Sequence, residues 1–174
     1  MAILHIIKAP DPALKKICAP VEAVDAEIRT LIDDMLDTMY GAPGMGLAAP
    51  QVGVLRRVIV VDVTKADEPR DPVCMVNPEL IEVSAETAVY EEGCLSFPDQ
   101  YAEVTRPAEI RVRYLDVDNE VRELAVGGMR GTCIQHEMDH LDGVLFVDHL
   151  SGLKRDIILR KMAKQRKTAA ASAA

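Results

Sequence analysis

Tryptophan is absent from this chain, and aromatic residues make up only 3% of it. The core must therefore be aliphatic, with methionine filling the gaps between branched side chains. No apolar run approaches the roughly 20 residues of a transmembrane helix, so the sequence predicts no membrane association. With 174 residues, 49% of them hydrophobic and 28% charged, the composition is that of a soluble globular protein of one domain.

The N-terminal segment lacks both the basic region and the long apolar region of a signal peptide. The four cysteines are widely spaced and contain no C-x-x-C pair; they are Cys18, Cys74, Cys94 and Cys133. These absences predict free thiols in a reducing cytoplasm. Each thiol is then available as a metal ligand.

The net charge of −8 argues against binding to nucleic acid in general, and no specific DNA site is expected. Residues 151–174 nevertheless hold seven of the 20 basic residues and one of the 28 acidic residues, which leaves 13 basic and 27 acidic residues in the first 150. An acidic body is thus followed by a basic C-terminal segment, which carries Lys154, Arg155, Arg160, Lys161, Lys164, Arg166 and Lys167.

Only four histidines occur, and two of them lie in the segment His136–His140, which reads H-E-x-x-H. On a helix, residues four apart share one face, so His136 and His140 can hold one metal ion with Glu137 beside it. Such a metal activates water, and the carboxylate can take and return its proton. The alternative is a polar helix face with two solvated histidines, which the scarcity of histidine disfavours. The pattern therefore predicts hydrolytic chemistry.

A third ligand is needed, and the abundant carboxylates could provide it. Cys94 is the sharper candidate, because Gly93 allows close backbone approach and the residues that follow can present amide donors. The alternative for Cys94 is a small buried hydrophobe, and spacing alone does not decide between the two.

The segment Gly44–Gln51 is rich in small residues, which let a ligand pass close to the backbone. Within it, Gln51 carries an amide that could donate to a developing oxyanion. The alternative is a packing junction between the first helix and the first strand. The segment lacks the lysine of a phosphate-binding loop and precedes a strand, which excludes that interpretation.

Periodicity predicts an α+β protein with small antiparallel or mixed sheets packed around a central metal-binding helix, and with helices at both ends. The first helix should follow the N-cap Asp25 and end at Gly41. The metal-binding helix should run from about Met129 to Leu141. Ser151 should cap the last helix.

Strands are expected at 73–76 and 80–83, joined by a turn at Asn77-Pro78, and a hairpin is expected around Asp118-Asn119. We expect residues 1–168 to form one catalytic domain that includes the basic helix. Residues 169–174 are of low complexity and are expected to be a disordered tail.

Three segments, Gly44–Gln51, Glu92–Ser96 and His136–His140, resemble in this order the signature motifs of the peptide deformylase family. The resemblance covers nearly the whole chain, and the helical C-terminus is most similar to the type 1 bacterial group. It implies a metal-dependent hydrolase of the bacterial cytoplasm. The implied substrate is the N-formylmethionyl end of a nascent chain, from which formate is released.

The resemblance also implies roles for individual residues. Cys94, His136 and His140 would bind the metal, with water in the fourth position. Glu137 would be the general base and then the acid. The side chain of Gln51 and the backbone N–H of Leu95 would stabilise the tetrahedral intermediate. Fe(II) is the expected metal, and zinc, nickel or cobalt can occupy the site.

An apolar slot for the methionine side chain is expected beside the metal. The residues expected to border the slot or the peptide groove are Met45, Gly46, Tyr90, Met129, Thr132 and Cys133. The alternative for Tyr90 and Thr132 is ordinary core packing. Family members often carry an arginine shortly after the cysteine motif, where this chain has Tyr101, so the distal peptide backbone should be gripped differently.

Two other functions compete with this one. A metallopeptidase that cuts internal amide bonds would use the same H-E-x-x-H machinery but would need neither Cys94 nor Gly44–Gln51. A non-catalytic, metal-stabilised binding module would need a fourth protein ligand, supplied by another cysteine, and would leave Glu137 idle.

The basic C-terminal segment is expected to dock on the ribosome through phosphate contacts, because a deformylase meets its substrate at the ribosome exit. The alternative is a solvated helix whose apolar side, formed by Leu153, Ile157 and Ile158, only packs on the body.

Overall fold

The computed structural model describes residues 2–172, and in that part of the chain it contains seven strands and three α-helices. The helices are α1 (Ala26–Gly41), α2 (Gly128–Leu141) and α3 (Gly152–Ser172). The strands are β1 (Gly46–Ala48), β2 (Val58–Val61), β3 (Val73–Val83), β4 (Thr87–Cys94), β5 (Phe97–Pro107), β6 (Glu109–Leu115) and β7 (Val121–Gly127). None of the described helices combines the length and the apolar character that crossing a membrane requires.

Both sheets are antiparallel, and they do not close into a barrel. Strands β1, β2, β3, β6 and β7 form one sheet in the order β1-β2-β3-β6-β7, and β4 and β5 form a separate two-stranded hairpin. The predicted α+β fold with small antiparallel sheets and terminal helices is confirmed.

Strand β2 lies between two helices, which explains why all four of its residues are buried. Val58 and Val60 belong to the core cluster shared with α1, and Ile59 and Val61 belong to the cluster shared with α2. A strand whose two faces are both covered is apolar throughout. One face of the sheet thus packs against α2 and fixes the position of the helix that carries the histidines.

The ends of α1 and α2 follow the predicted signals. Asp25 accepts a hydrogen bond from the backbone N–H of Ile28 at the start of α1. The chain leaves α2 through Gly143, which has a φ of 71° and packs so closely on the backbone of Lys15 that a Cβ would lie 2.7 Å from its carbonyl carbon. Only glycine satisfies both conditions.

The expected turn at Asn77-Pro78 is wrong, because β3 is one continuous strand. Asn77 has a φ of 51° and lies in an irregularity of the β3–β6 pairing. Its side-chain amide binds the N–H and the C=O of Val21, both at 2.8 Å. Asn77 therefore occupies a β-bulge within the strand. The hairpin at Asp118-Asn119 is confirmed, with Asn119 at a φ of 63°.

The last helix begins where predicted, with the Ser151 hydroxyl accepting from the N–H of Lys154 at 3.4 Å. Its packing differs from the expected apolar side, because Leu153 is 74% exposed and Ile157 is 44% exposed. Ile158 is buried as expected, and Met162, which was not predicted, is buried beside it in the same core cluster.

The tail expected at 169–174 is helical as far as residue 172, since alanine is the strongest helix former. Residues 173 and 174 lie outside the described residues.

Candidate metal centre and active site

Three side chains converge at one point between β4 and α2. Cys94 is the last residue of β4, and His136 and His140 lie one turn apart on α2. Their donor atoms all lie within 4.8 Å of one another, with Cys94 Sγ 3.4 Å from His140 Nε2. One sulfur and two imidazole nitrogens suit zinc, iron, nickel or cobalt better than a hard cation.

The side chain of Glu137 is buried beside this cluster, and its Oε2 has no hydrogen-bond partner within residues 2–172. A buried carboxylate oxygen without a partner is costly, so the site fits a metal ion and a substrate that would complete it. Burial, with a contribution from the charge of Glu92, raises the pKa of Glu137 to about 7.

A network of ion pairs and hydrogen bonds orients His136. Glu92 Oε2 lies 2.8 Å from His136 Nδ1, and because a carboxylate can only accept, the proton lies on Nδ1 and leaves Nε2 free to bind a metal. Arg106 donates two hydrogen bonds to Glu92, at 2.6 and 3.0 Å, and one to Asp139 at 2.8 Å. His149 Nε2 lies 2.7 Å from Asp139 and extends this network toward the surface.

Burial alone would disfavour the charge on Glu92, but the hydrogen bonds from His136 and Arg106 outweigh it and lower its pKa to about 2. The sequence did not predict this network of ion pairs. Glu92 was recognised only as part of a motif, and Arg106 pairs with it across the β4–β5 hairpin, 14 residues away. No local spacing reveals such a contact.

Gln51 lies in a 3₁₀ turn at Ala49–Val52, and it is fully buried. Its Oε1 accepts from the N–H of Ala48 at 2.8 Å, which fixes the orientation of the amide. Its Nε2 consequently faces Ser96 Oγ at 3.1 Å and Cys94 Sγ at 3.5 Å. The Gln51 amide therefore donates toward the ligand cluster.

Leu95 and Ser96 form the two-residue turn that joins β4 to β5, since Cys94 pairs directly with Phe97. The turn places Leu95 next to Cys94 at the wall of a cavity that opens onto the cluster. Five of the six residues expected around the substrate line this cavity, namely Met45, Gly46, Met129, Thr132 and Cys133.

Tyr90 does not line the cavity; its hydroxyl lies near the start of α2, 3.9 Å from where a Cβ of Gly128 would be. Tyr101 lines it instead. The Tyr101 ring packs against Gly93, where a Cβ would come within 2.6 Å of it. The absence of a side chain at Gly93 thus makes room for Tyr101 on the neighbouring strand and also permits the close approach to Cys94.

Gly46 is buried directly beneath the catalytic carboxylate candidate. A Cβ on Gly46 would lie 2.8 Å from Glu137 Cδ, nearer still to Oε1, and 2.8 Å from Cys133 Sγ. The absence of a side chain at Gly46 therefore lets α2 approach β1 and sets the position of Glu137.

An α+β fold in which a cysteine sulfur and two imidazoles converge beside a buried carboxylate is the arrangement of a metal-dependent hydrolase. A family model described as polypeptide deformylase matches residues 3–156. The peptide deformylase of Rhizobium meliloti is 52% identical over 173 residues, which cover 99% of each chain. That of Mesorhizobium japonicum is 54% identical over 164 residues, which cover 94% of this chain and 93% of the relative.

The crystal structure of peptide deformylase from Ehrlichia chaffeensis is also similar, with a TM-score of 0.91 and 38% identity over 97% of this chain and 99% of that one. The chain belongs to the peptide deformylase family. It is a metal-dependent hydrolase that removes the N-formyl group from the N-terminal formyl-methionine of nascent polypeptides and releases formate.

Proposed function

We propose that Cys94, His136 and His140 hold the metal of this deformylase. The observation that carries the proposal is the convergence of their donor atoms within 4.8 Å. A bound divalent ion would supply a Lewis acid and lower the pKa of water. Fe(II) is the proposed physiological metal, and Zn(II), Ni(II) or Co(II) are proposed to replace it in purified protein, since a thiolate favours soft and borderline ions.

Glu137 is the proposed proton carrier. At a pKa of about 7, its carboxylate can accept a proton from the attacking water at neutral pH and return it to the departing amine. Burial keeps bulk water away from the transferred proton. The assignment accounts for a carboxylate beside the cluster whose Oε2 has no hydrogen-bond partner among the described residues.

Gln51 and the backbone N–H of Leu95 are the proposed oxyanion donors. The Gln51 hydrogen directed at Cys94 Sγ would turn to the formyl oxygen as negative charge develops there, while Ser96 retains the other hydrogen. The amide is already oriented by Ala48, so little reorganisation accompanies the reaction.

The cavity beside the cluster is the proposed site of the formyl-methionyl residue. Met129, Thr132 and Cys133 line it on the α2 side and would contact the methionine side chain. Residues of β1 and β4 line it as well, and each of these strands is an edge strand with one paired neighbour. We propose that the peptide enters between these edges in an extended conformation, near Met45 and Gly46. Tyr101 would support the distal residues.

The ligand set is tested with Co(II)-loaded protein purified without oxygen. Thiolate coordination should give a sulfur-to-cobalt charge-transfer band that Cys94→Ser abolishes. Cys133→Ser, which changes a neighbouring thiol, should keep the band. A band that survives Cys94→Ser would overturn the assignment. Metal analysis of the same anaerobic preparation identifies the resident ion, and zinc in place of iron would overturn the proposal of Fe(II).

Substrate class is tested by comparing a formyl-methionyl dipeptide with casein. Formate should be released from the dipeptide and casein should stay intact, because the cavity receives a chain end between two strand edges. Cleavage of casein would favour the metallopeptidase interpretation instead.

We also propose that residues 1–168 form one catalytic domain, that the enzyme acts in the bacterial cytoplasm, and that α3 docks on the ribosome. All seven basic residues of α3 are exposed, whereas Ile158 and Met162 anchor the helix on the body. An acidic body would be repelled by RNA, so a basic helix offers the face that can bind it.

The docking proposal is tested by replacing Lys161, Lys164 and Lys167 together by Glu. Met162 stays in place, so the helix keeps its anchor. Activity on a short formyl peptide should be unchanged, and co-sedimentation with ribosomes should weaken and fall steeply with salt. Salt-insensitive or unaltered co-sedimentation would contradict the proposal.

A further inference from the structure

Residues 7–9 of the N-terminal segment each donate a hydrogen bond to a backbone carbonyl of the active site. We call these three residues the N-terminal clasp. The first binds the 3₁₀ turn, and the other two bind the β4–β5 turn. The contacts are Ile7 N–H to Gln51 C=O at 2.8 Å, Lys8 Nζ to Leu95 C=O at 2.5 Å, and Ala9 N–H to Ser96 C=O at 2.9 Å.

We propose that Lys8 is a positioning residue for the oxyanion site, and that its ammonium group fixes the orientation of Leu95 relative to Gln51. The inference rests on the proposed donor roles of Gln51 and Leu95. Lys8 does not line the cavity, and its side chain donates to the carbonyl of Leu95. Its charge also acts on Cys94.

The turn needs such support because of its geometry. Leu95 and Ser96 lie between the paired residues Cys94 and Phe97, so their carbonyls lie outside the strand ladder. A backbone group outside a ladder is oriented by whatever other partner it has. For Leu95 that partner is Lys8, and without it the peptide units on either side of Leu95 can rotate and displace the N–H.

The two halves of the proposed oxyanion site are not equally held. Gln51 is fixed by Ala48, by Ser96 and by the backbone of the clasp. The side chain of Leu95 packs against the core, but its carbonyl accepts from one side chain, that of Lys8. Lys8 is exposed and can be replaced without disturbing the core. Lys8 is thus the one side-chain contact of the clasp, and the backbone contacts of its neighbours survive its substitution.

The test compares Lys8→Met, Lys8→Arg and the control Lys16→Met, an exposed lysine farther along the same segment. Methionine keeps the length of the stem and removes the donors and the charge. We expect Lys8→Met to lower kcat about tenfold with little change in KM, because a displaced donor affects mainly the transition state. Lys8→Arg, which still donates, should recover most of kcat, and Lys16→Met should match the unaltered enzyme.

Metal content and Tm of the three variants should stay constant, which separates positioning from general destabilisation. An unchanged kcat in Lys8→Met, a loss confined to KM, or an equal loss in Lys8→Arg would overturn the inference. Gln51→Leu in the same assay keeps the two proposals apart. If Gln51→Leu retains kcat, the oxyanion assignment fails. If Gln51→Leu loses kcat but Lys8→Met retains it, only the role of Lys8 fails.

Discussion

Gly46→Ala should impair catalysis although Gly46 itself has no chemical function. The new methyl group would lie 2.8 Å from Glu137 Cδ and from Cys133 Sγ, whereas ordinary contacts begin at 3.4 Å. To reach ordinary contact the carboxyl carbon must retreat by 0.6 Å (3.4 Å less 2.8 Å), and its Oε1, which lies nearer, must retreat farther. The φ of Gly46 lies outside the left-handed region, so alanine meets a steric conflict and no backbone strain.

The size of the effect follows from that displacement. A misplacement of about 1 Å in a reacting group can cost roughly 10²-fold in rate, so kcat should fall by about that factor. Overpacking a filled site costs about 1–3 kcal/mol of stability, which predicts a lower but measurable Tm. The metal should stay bound, because the three atoms nearest to the new methyl group belong to Glu137 and Cys133 and not to the three proposed ligands.

The assay measures kcat on a formyl-methionyl peptide together with metal content and Tm. Gly41→Ala is the matched control, since its nearest neighbour would be Ile3 Cδ1 at an ordinary 3.7 Å. Gly41→Ala should leave kcat unchanged. A Gly46→Ala enzyme with kcat within twofold of the original would refute the placement of Glu137 against β1, and loss of the metal would show that the methyl group disturbs the ligands.

Two further substitutions probe the surroundings of the metal. Gln51→Leu should lower kcat on the order of 10²–10³ with little effect on KM, as for loss of one oxyanion donor; unchanged kcat would assign Gln51 to packing, where the N–H of Ala48 needs its oxygen. Glu92→Gln should weaken metal affinity by roughly 10–100-fold, because the amide orients His136 less well, whereas Glu103→Gln on the neighbouring strand should not. Equal metal affinity in the two Glu variants would show that Glu92 does not orient the ligand.

Much of the site could be predicted from local sequence. The four-residue spacing of His136 and His140 defines a face of any helix that contains them, and Asp25 and Gly41 bound α1 through local capping. Cys94 could be assigned only through family resemblance. Its approach to α2 depends on how the β4–β5 hairpin packs, and no periodic pattern records that.

The remaining differences have the same origin in tertiary structure. Asn77 looked like a turn residue, but two hydrogen bonds to Val21 hold it within a strand. Tyr90 lay close to Cys94 in sequence, yet its ring points toward the start of α2. The pairing of Arg106 with Glu92 and Asp139 joins strand to helix. Each of these depends on contacts between segments that the sequence does not place together.

The most direct test of the account is Glu137→Gln, measured for formate release and bound metal in the same sample. Glutamine keeps the shape of the side chain and removes its ability to carry the proton. The account predicts one metal ion per chain, as in the unaltered enzyme, and formate release lowered by about 10²–10⁴-fold, the usual contribution of general acid–base catalysis. Metal lost together with activity would make Glu137 a ligand, and activity retained with the metal in place would contradict its role as the proton carrier.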